Sequence, residues 1–268
     1  MSIDAGAGFF FPNLSEEYKD LFSGDEPVWK ALDRLKPFIR DELSPNLPDV
    51  VRPGVPLETA VVMLPGGWAT DGFELVCSDE TKGKVQVWLE GDYVPEATLL
   101  CPGAVFVDKR IQLGRGVLIE PGAYIKGPSI IGDYTEVRQG AYIRGDALVG
   151  KRCVVGHTTE VKHAVFLDGA KAGHFAYIGD SILGNDVNLG AGTKFANLKF
   201  APGTVSIALP DGTRVDSGRR KLGAILGDGC QTGCNSVTNP GVLLGPGSLV
   251  APNTTVAPGL YGARSIVR

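Results

Sequence analysis

The sequence predicts an all-β chain, a left-handed parallel β-helix of hexapeptide repeats with a small α+β N-terminal domain. Two observations carry this. Aliphatic residues recur every six positions: Val107, Leu113, Ile119, Ile125, Ile131, Val137, Ile143, Val149, Val155, Val161 and Leu167. Glycine is abundant, with 37 residues in 268 and no collagen period, and it often follows the aliphatic position directly, as at Gly114, Gly132, Gly150 and Gly156. A period of six is neither the 3.6 of a helix nor the simple alternation of a long strand. It fits short strands joined by sharp turns, with one aliphatic side chain per face pointing inward. Such coils bury a core only by stacking on one another. A β-sandwich would place its strands 8–12 residues apart, with no fixed register of six.

The solenoid is expected over residues 96–268. After Leu167 the frame slips by one and resumes at Ile178. It slips again and continues at Leu183, Leu189 and Phe195. It returns at Leu226, Thr232, Thr238, Leu244, Val250 and Val256. The break at about 200–222 contains an alternating run, a Pro210-Asp211-Gly212 turn and then basic residues, and it reads as a looped-out hairpin. Residues 1–95 read differently. Asp25 is placed to cap a helix with Pro27 in its first turn. Val28, Leu32, Leu35 and Ile39 fall on one face of that helix, and Pro37 is expected to kink it. A Pro-rich linker follows (Pro45, Pro48, Pro53, Pro56), then strand-like runs at 60–64, 73–77 and 85–89.

Composition excludes several classes of function. The net charge of -4 gives no electrostatic case for nucleic acid. No stretch of 18 apolar residues is present, and the N-terminus has no basic region ahead of an apolar run, so the expected compartment is the cytoplasm. Five cysteines at irregular spacings (Cys77, Cys101, Cys153, Cys230, Cys234) read as free thiols. Cys230 and Cys234 lack a second Cys or His pair at zinc spacing. No P-loop or GxGxxG occurs in the N-terminal region.

Three hexads make one coil, so residues eighteen apart should stack. Arg144 and Lys162 each follow an inward position and are eighteen apart. Stacked cations repel unless something anionic lies between or beside them, and a phosphate would suit Arg and Lys. Alternatively both side chains splay into solvent, and spacing alone leaves the two readings level. The three histidines are His157, His163 and His174. Six residues apart means different faces, so His157 and His163 should not share a metal within one chain. His174 sits in Gly173-His174-Phe175-Ala176-Tyr177, where the register slips, and irregularities of this kind often mark function. Histidine is also the side chain suited to proton transfer near neutrality.

Three stretches resemble one family closely: Glu160-Val161-Lys162, then Gly173 through Asp180, then Asn188-Leu189-Gly190-Ala191-Gly192-Thr193. They are similar to the acetyltransferase half of the bifunctional bacterial enzyme that makes UDP-N-acetylglucosamine. The likeness covers about 107–198 and again 221–258, without gaps from Arg144 to Asn197. It implies transfer of acetyl from acetyl-CoA, as co-substrate, to an amino-sugar 1-phosphate, with no metal required. It implies that His174 is the general base and that Glu160 orients it. Arg144 and Lys162 would bind the sugar phosphate. Tyr177, Asn188, Asn197 and Lys221 fall on substrate-binding positions, and Ala191, Cys234 and Ala251 on the CoA site. The resemblance also implies a homotrimer with sites between subunits.

Three departures stand out. The family's nucleotidyltransferase domain has no counterpart in residues 1–95, so uridylyl transfer is not expected. Leu198 stands where the family has Tyr, and Cys234 where it has Ser. The stretch Ser217-Gly218-Arg219-Arg220-Lys221-Leu222-Gly223 looks more like the archaeal branch, which acts on glucosamine- and galactosamine-1-phosphate. The acceptor stays open on these grounds. A nucleotide-linked sugar, or a non-catalytic trimeric sugar-phosphate-binding scaffold, are the competing readings.

Overall fold

A computed structural model describes residues 5–24, 26–79 and 84–268. From Thr98 onward the chain winds as a left-handed parallel β-helix with three faces. The first face stacks nine short parallel strands, from Thr98–Leu100 to Ile266–Val267. The second runs from Val105–Phe106 through Tyr142–Ile143 to Thr255–Val256. The third runs from Ile111–Leu113 through Ala147–Val149 to Gly259–Tyr261. Leu113, Ile119, Ile125, Ile131, Val137, Ile143, Val149, Val155 and Val161 are all buried in one continuous core, as the period of six requires.

Two members of the expected run are displaced. Phe106, not Val107, stacks on Ile125. Phe166, not Leu167, stacks on Val149. The slip therefore comes earlier than the sequence pattern suggests. Ile143 faces Val161, eighteen residues on, but Val149 faces Phe166, seventeen on. The missing residue is lost at the corner at His163, where φ is 47°. A second short step falls at Asp180, with φ of 49°. At both places the strand runs unbroken around the corner, as Glu160–Phe166 and Tyr177–Leu183, so that the second and third faces form one sheet. A non-glycine residue at positive φ is uncommon. Here it allows the chain to turn in one residue where the other coils use two.

The N-terminal residues build no separate core from their helices. Val28, Leu32, Leu35 and Ile39 are buried together, as their spacing predicts. Helix α1 (Ala7–Phe10) and helix α2 (Ala31–Glu42) pack on the outside of the third face, and α2 continues past Pro37 as one element. Phe10, Phe11, Trp29, Leu32 and Ile39 share a cluster with the outward side chains Leu148, Val165, Leu167, Ile182, Ile225 and Leu243. Leu167 is thus buried from outside the coil rather than inside it. The expected cap at Asp25 lies outside the described residues.

The Pro-rich segment closes the open end of the coil. Leu47, Val51 and Leu57 join the interior core, and the Asn46 side chain bonds both backbone groups of Leu113, at 2.9 and 2.7 Å. Val61–Leu64 then pairs antiparallel with Thr98–Leu100. Glu74–Asp79, Lys84–Leu89 and Asp92–Tyr93 form a small antiparallel sheet. The hairpin expected near 200–222 is present, with Ser206–Ala208 paired to Arg214–Asp216.

Candidate active site

Arg144 and Lys162 do lie on neighbouring rungs, since Ile143 pairs with Val161 and the Arg144 N–H donates to the Val161 carbonyl at 2.8 Å. Within the chain an anion stands beside each of the stacked cations. Each cation takes its own carboxylate. Arg144 Nη1 lies 2.7 Å from Glu160 Oε1, and Lys162 Nζ lies 3.3 Å from Asp180 Oδ2. The Glu160 hydrogen bond pushes the Arg144 guanidinium further into its charged range. Arg144 also sits over the Tyr142 ring, 5.8 Å from its centroid.

Tyr177 and Asn197 stand on the same face. Asn197 Nδ2 donates to Asp180 Oδ2 at 2.7 Å and lies 3.4 Å from Tyr177 Oη. Burial and then the Glu160 charge raise the Tyr177 phenol above its ordinary value. Gly179 makes room for this pair: a Cβ there would come within 2.7 Å of both Tyr177 Oη and Asn197 Nδ2.

His174 lies one corner away, at the end of Lys171–His174. It pairs in register with His157, seventeen residues earlier, and its exposed ring rests near Phe175, at 6.3 Å between centroids. The Glu160 carboxylate is turned to Arg144, so the expected Glu160–His174 contact is not formed within one chain. Backbone bonds run up the same corner: Gly192 N to His174 O at 3.0 Å, Asn235 N to Ala191 O at 2.8 Å and Asn253 N to Cys234 O at 2.8 Å. His174, Ala191 and Cys234 therefore occupy successive rungs of one column.

Asn188 is exposed on the first face, between Lys171 and Gln231, and Ala251 follows the inward Val250 of that face. Lys221 is exposed at the hairpin's return, and its carbonyl accepts from Arg219 Nε at 3.1 Å. The structure thus gathers Arg144, Glu160, Lys162, Tyr177 and Asn197 on the second face. It leaves Asn188 and Ala251 on the first, with His174, Ala191 and Cys234 at the corner between.

The other two histidines have local partners. His163 is buried, with Nε2 3.0 Å from the Leu32 carbonyl of α2, and burial pushes its pKa down. His157 Nδ1 lies 3.0 Å from the Gln139 carbonyl. Cys230 points into the core and donates to the Gly245 carbonyl at 3.1 Å, whereas Cys234 is exposed.

Sequence reasoning gave no role to Asp180 or Arg219, although both lie in the quoted motifs. Asp180 is 4% exposed and touches three site side chains. The signal available was its place at the second short step.

The repeats match the GMPPB C-terminal domain over residues 125–239. The chain is 46% identical over 91 residues to a bifunctional sugar-1-phosphate nucleotidylyltransferase/acetyltransferase of Sulfurisphaera tokodaii, covering 34% of this chain and 22% of that protein. It is 41% identical over 91 residues to the bifunctional protein GlmU of Methanococcus vannielii, covering 34% and 22%. With GlmU of Thermodesulfovibrio yellowstonii it is 39% identical over 116 residues, covering 41% and 24%. The matched part is less than a quarter of these relatives' length. Over that part the chain has its hexapeptide repeats in common with these relatives, and the resemblance read from its motifs is borne out.

Among solved structures, the chain is similar to a GDP-perosamine N-acetyltransferase from Caulobacter crescentus bound to CoA and GDP-perosamine, at 18% identity, 59% and 50% coverage and a TM-score of 0.16. It is similar also to the Arabidopsis UDP-N-acetylglucosamine acyltransferase, at 14% identity, 62% and 73% coverage and a TM-score of 0.24. Among the described residues, no helix is long and apolar enough to cross a membrane.

Proposed function

We propose that this protein is an acetyl-CoA-dependent N-acetyltransferase that acts on an amino-sugar 1-phosphate, glucosamine-1-phosphate or galactosamine-1-phosphate. The observation that carries the reading is the common face of Arg144, Lys162, Tyr177 and Asn197, one corner from the column of His174, Ala191 and Cys234. The sugar phosphate lies against Arg144 and Lys162, which offer a fork and a point charge to its oxygens. Asn197 and Tyr177 bond the sugar. Acetyl-CoA runs along the corner column past Ala191 and Cys234, with Ala251 beside it on the first face.

The 2-amino nitrogen attacks the thioester carbonyl carbon, and the C–N bond forms as the C–S bond breaks. The amine's proton passes to the His174 imidazole, which hands it on to the departing sulfur, so that CoA leaves as the thiol and the imidazole is restored. Positioning of the two substrates and general base catalysis supply the rate, the latter about 10²–10⁴-fold. The amine must reach His174 as its neutral form or lose its extra proton there.

The site is completed by a neighbouring subunit of a homotrimer. Asn188 then meets the acceptor from the next chain, and a neighbour's groups turn Glu160 or His174 into contact. Residues 96–268 form the transferase unit and 1–95 its support.

The exposed pair Tyr124 and Tyr142, at 5.5 Å between ring centroids beside Arg144, favours one alternative acceptor, a nucleotide-linked sugar whose base stacks there. Both readings are tested by release of CoA thiol from acetyl-CoA. The acceptors are glucosamine-1-phosphate, galactosamine-1-phosphate, unphosphorylated glucosamine and a nucleotide-linked amino sugar, with a blank lacking acceptor and His174→Ala as control. Phosphate-dependent release that is lost in the variant is the expected result. Release with the nucleotide sugar alone moves the assignment to that class. No release with any acceptor, from a folded protein, overturns the enzyme.

A further inference from the structure

Asp180 is buried to 4% exposure, and a carboxylate so buried is tolerated only when paired and hydrogen-bonded. Its two oxygens divide the work. Oδ2 takes Lys162 Nζ and Asn197 Nδ2, the two groups that face the proposed acceptor. Oδ1 faces Arg219 Nη2 at 3.6 Å. Arg219 belongs to the hairpin, and its other terminal nitrogen is paired with Asp33 of α2. The hairpin is anchored at the same spot, because Gly223 N donates to the Asp180 carbonyl at 2.8 Å and Leu222 N to the Asn197 carbonyl at 3.0 Å. A Cβ on Gly223 would collide with Ser181 Oγ and the Gly179 carbonyl, so the approach is close.

A cavity of about 350 Å3 opens between α2 and this corner. Its charged walls are three cations (Lys36, Lys162, Arg219) and three carboxylates (Asp33, Asp146, Asp180). Each cation is within 4.0 Å of one of the carboxylates, so the cavity carries no surplus positive charge for an anion. Its charges support one another and, through Asp180, the site.

We infer that Asp180 is a positioning residue, held by Arg219 and Asp33, that aims Lys162 and Asn197 at the acceptor and makes helix α2 and the hairpin part of the site's support. The kinetic part of its test rests on the function proposed above.

Asp180→Asn, Arg219→Gln and Asp33→Asn are made in the full chain. In Asp180→Asn the acceptor KM rises about tenfold while the acetyl-CoA KM and kcat stay within about twofold, because the lost contact is to a group that binds the phosphate. The two outer variants raise the acceptor KM by smaller factors, and Asp33 is half exposed, so its substitution leaves the fold intact if Asp180→Asn does not. Asp180→Asn adds nothing further to a variant carrying both Lys162→Ala and Asn197→Ala, as expected of a residue acting through those two contacts. Equal rises in both KM values, or an effect of Asp180→Asn that multiplies with the combined Lys162→Ala and Asn197→Ala changes, overturn the positioning role.

A readout independent of turnover separates this inference from the function. Labelling of Lys162 by trinitrobenzenesulfonate, followed by peptide mass spectrometry, accelerates about tenfold when its carboxylate partner is lost, since the Nζ held 3.3 Å from the buried Asp180 Oδ2 is then free to swing out to the reagent. If the wild type acetylates no sugar but Lys162 labelling accelerates, the function fails and the positioning survives. Unchanged labelling in a folded Asp180→Asn protein overturns the inference itself.

Discussion

His174 is exposed at a corner and its ring makes no hydrogen bond among the described residues, so its removal tests chemistry with little cost to the fold. His174→Ala is expected to lower kcat about 10²–10⁴-fold with the acetyl-CoA KM nearly unchanged, measured by thiol release. His163 behaves differently. Burial lowers its pKa, and the Arg219 charge opposes protonation, while Asp180 and Asp146 favour it, and burial wins. The folded chain therefore binds fewer protons at this site than the unfolded chain, whose histidine titrates near pH 6.5. Stability is full above that value and falls as the pH drops below it. Melting between pH 7.5 and 5.5 should show this loss, and His163→Gln, which keeps an N–H for the Leu32 carbonyl, should flatten it. A flat wild-type profile would remove His163 from the account. The cysteines give a third expectation at this scale. Burial pushes Cys153 up to about 12 and Cys101 and Cys230 up to about 11. A disulfide reagent at pH 8 should titrate Cys77 and Cys234 in the native protein and all five thiols after denaturation. Faster reaction of a third thiol would show that the coil opens.

At the scale of the strand and corner, the period of six was legible because each inward position faces a core that accepts only apolar groups. Its exact phase was legible only where the outer neighbour is polar. Around Phe166 and Leu167 both neighbours are apolar, since the third face is covered on its outer side by α1 and α2, and the aliphatic step of six carries on past the true slip. Phe106 and Val107 hide the phase in the same way. Arg144 and Lys162 on adjacent rungs followed from counting; Asp180 is likewise eighteen residues from Lys162, but the short step at His163 puts Gly179 opposite Lys162, and Asp180 reaches it from the next position, at the corner. That corner is also where a small change should act. Gly179→Ala places a Cβ within 2.7 Å of Tyr177 Oη and Asn197 Nδ2. These are side-chain ends, which move aside more readily than backbone. The expected outcome is a stability loss at or below about 1–3 kcal/mol, the usual range for overpacking, with a clear rise in acceptor KM. A thermal melt and a Michaelis curve on the same sample check both, and an unchanged KM would place the acceptor away from Tyr177 and Asn197.

On the scale of the whole molecule, the N-terminal segment decides which surfaces remain open. The third face is buried under Phe10, Phe11, Trp29, Leu32 and Ile39. Tyr18 Oη donates to Asp168 at 2.9 Å, and Lys151 pairs with Glu17 at 2.9 Å, so the covering is pinned at its edge as well as greased by apolar area. Among the described residues this covering leaves the first and second faces open to another copy of the chain. These are the faces over which the candidate residues divide, with Lys162 on the second and Asn188 on the first. A closed ring joins unlike patches head to tail, so each interface of a trimer draws its second face from one subunit and its first from the next. Lys162→Ala and Asn188→Ala should each cripple acetyl transfer when alone. When the two variants are co-expressed with different tags and the mixed species is purified, some interfaces receive an intact Lys162 from one subunit and an intact Asn188 from its neighbour. In a mixed trimer of either composition about one interface in three is whole, and activity should return to roughly that fraction of wild type. If Lys162 and Asn188 instead served one site within a single chain, no mixture would contain an intact pair. Activity would then stay at the level of the separate variants. Light scattering on the same preparation fixes the number of subunits in the ring.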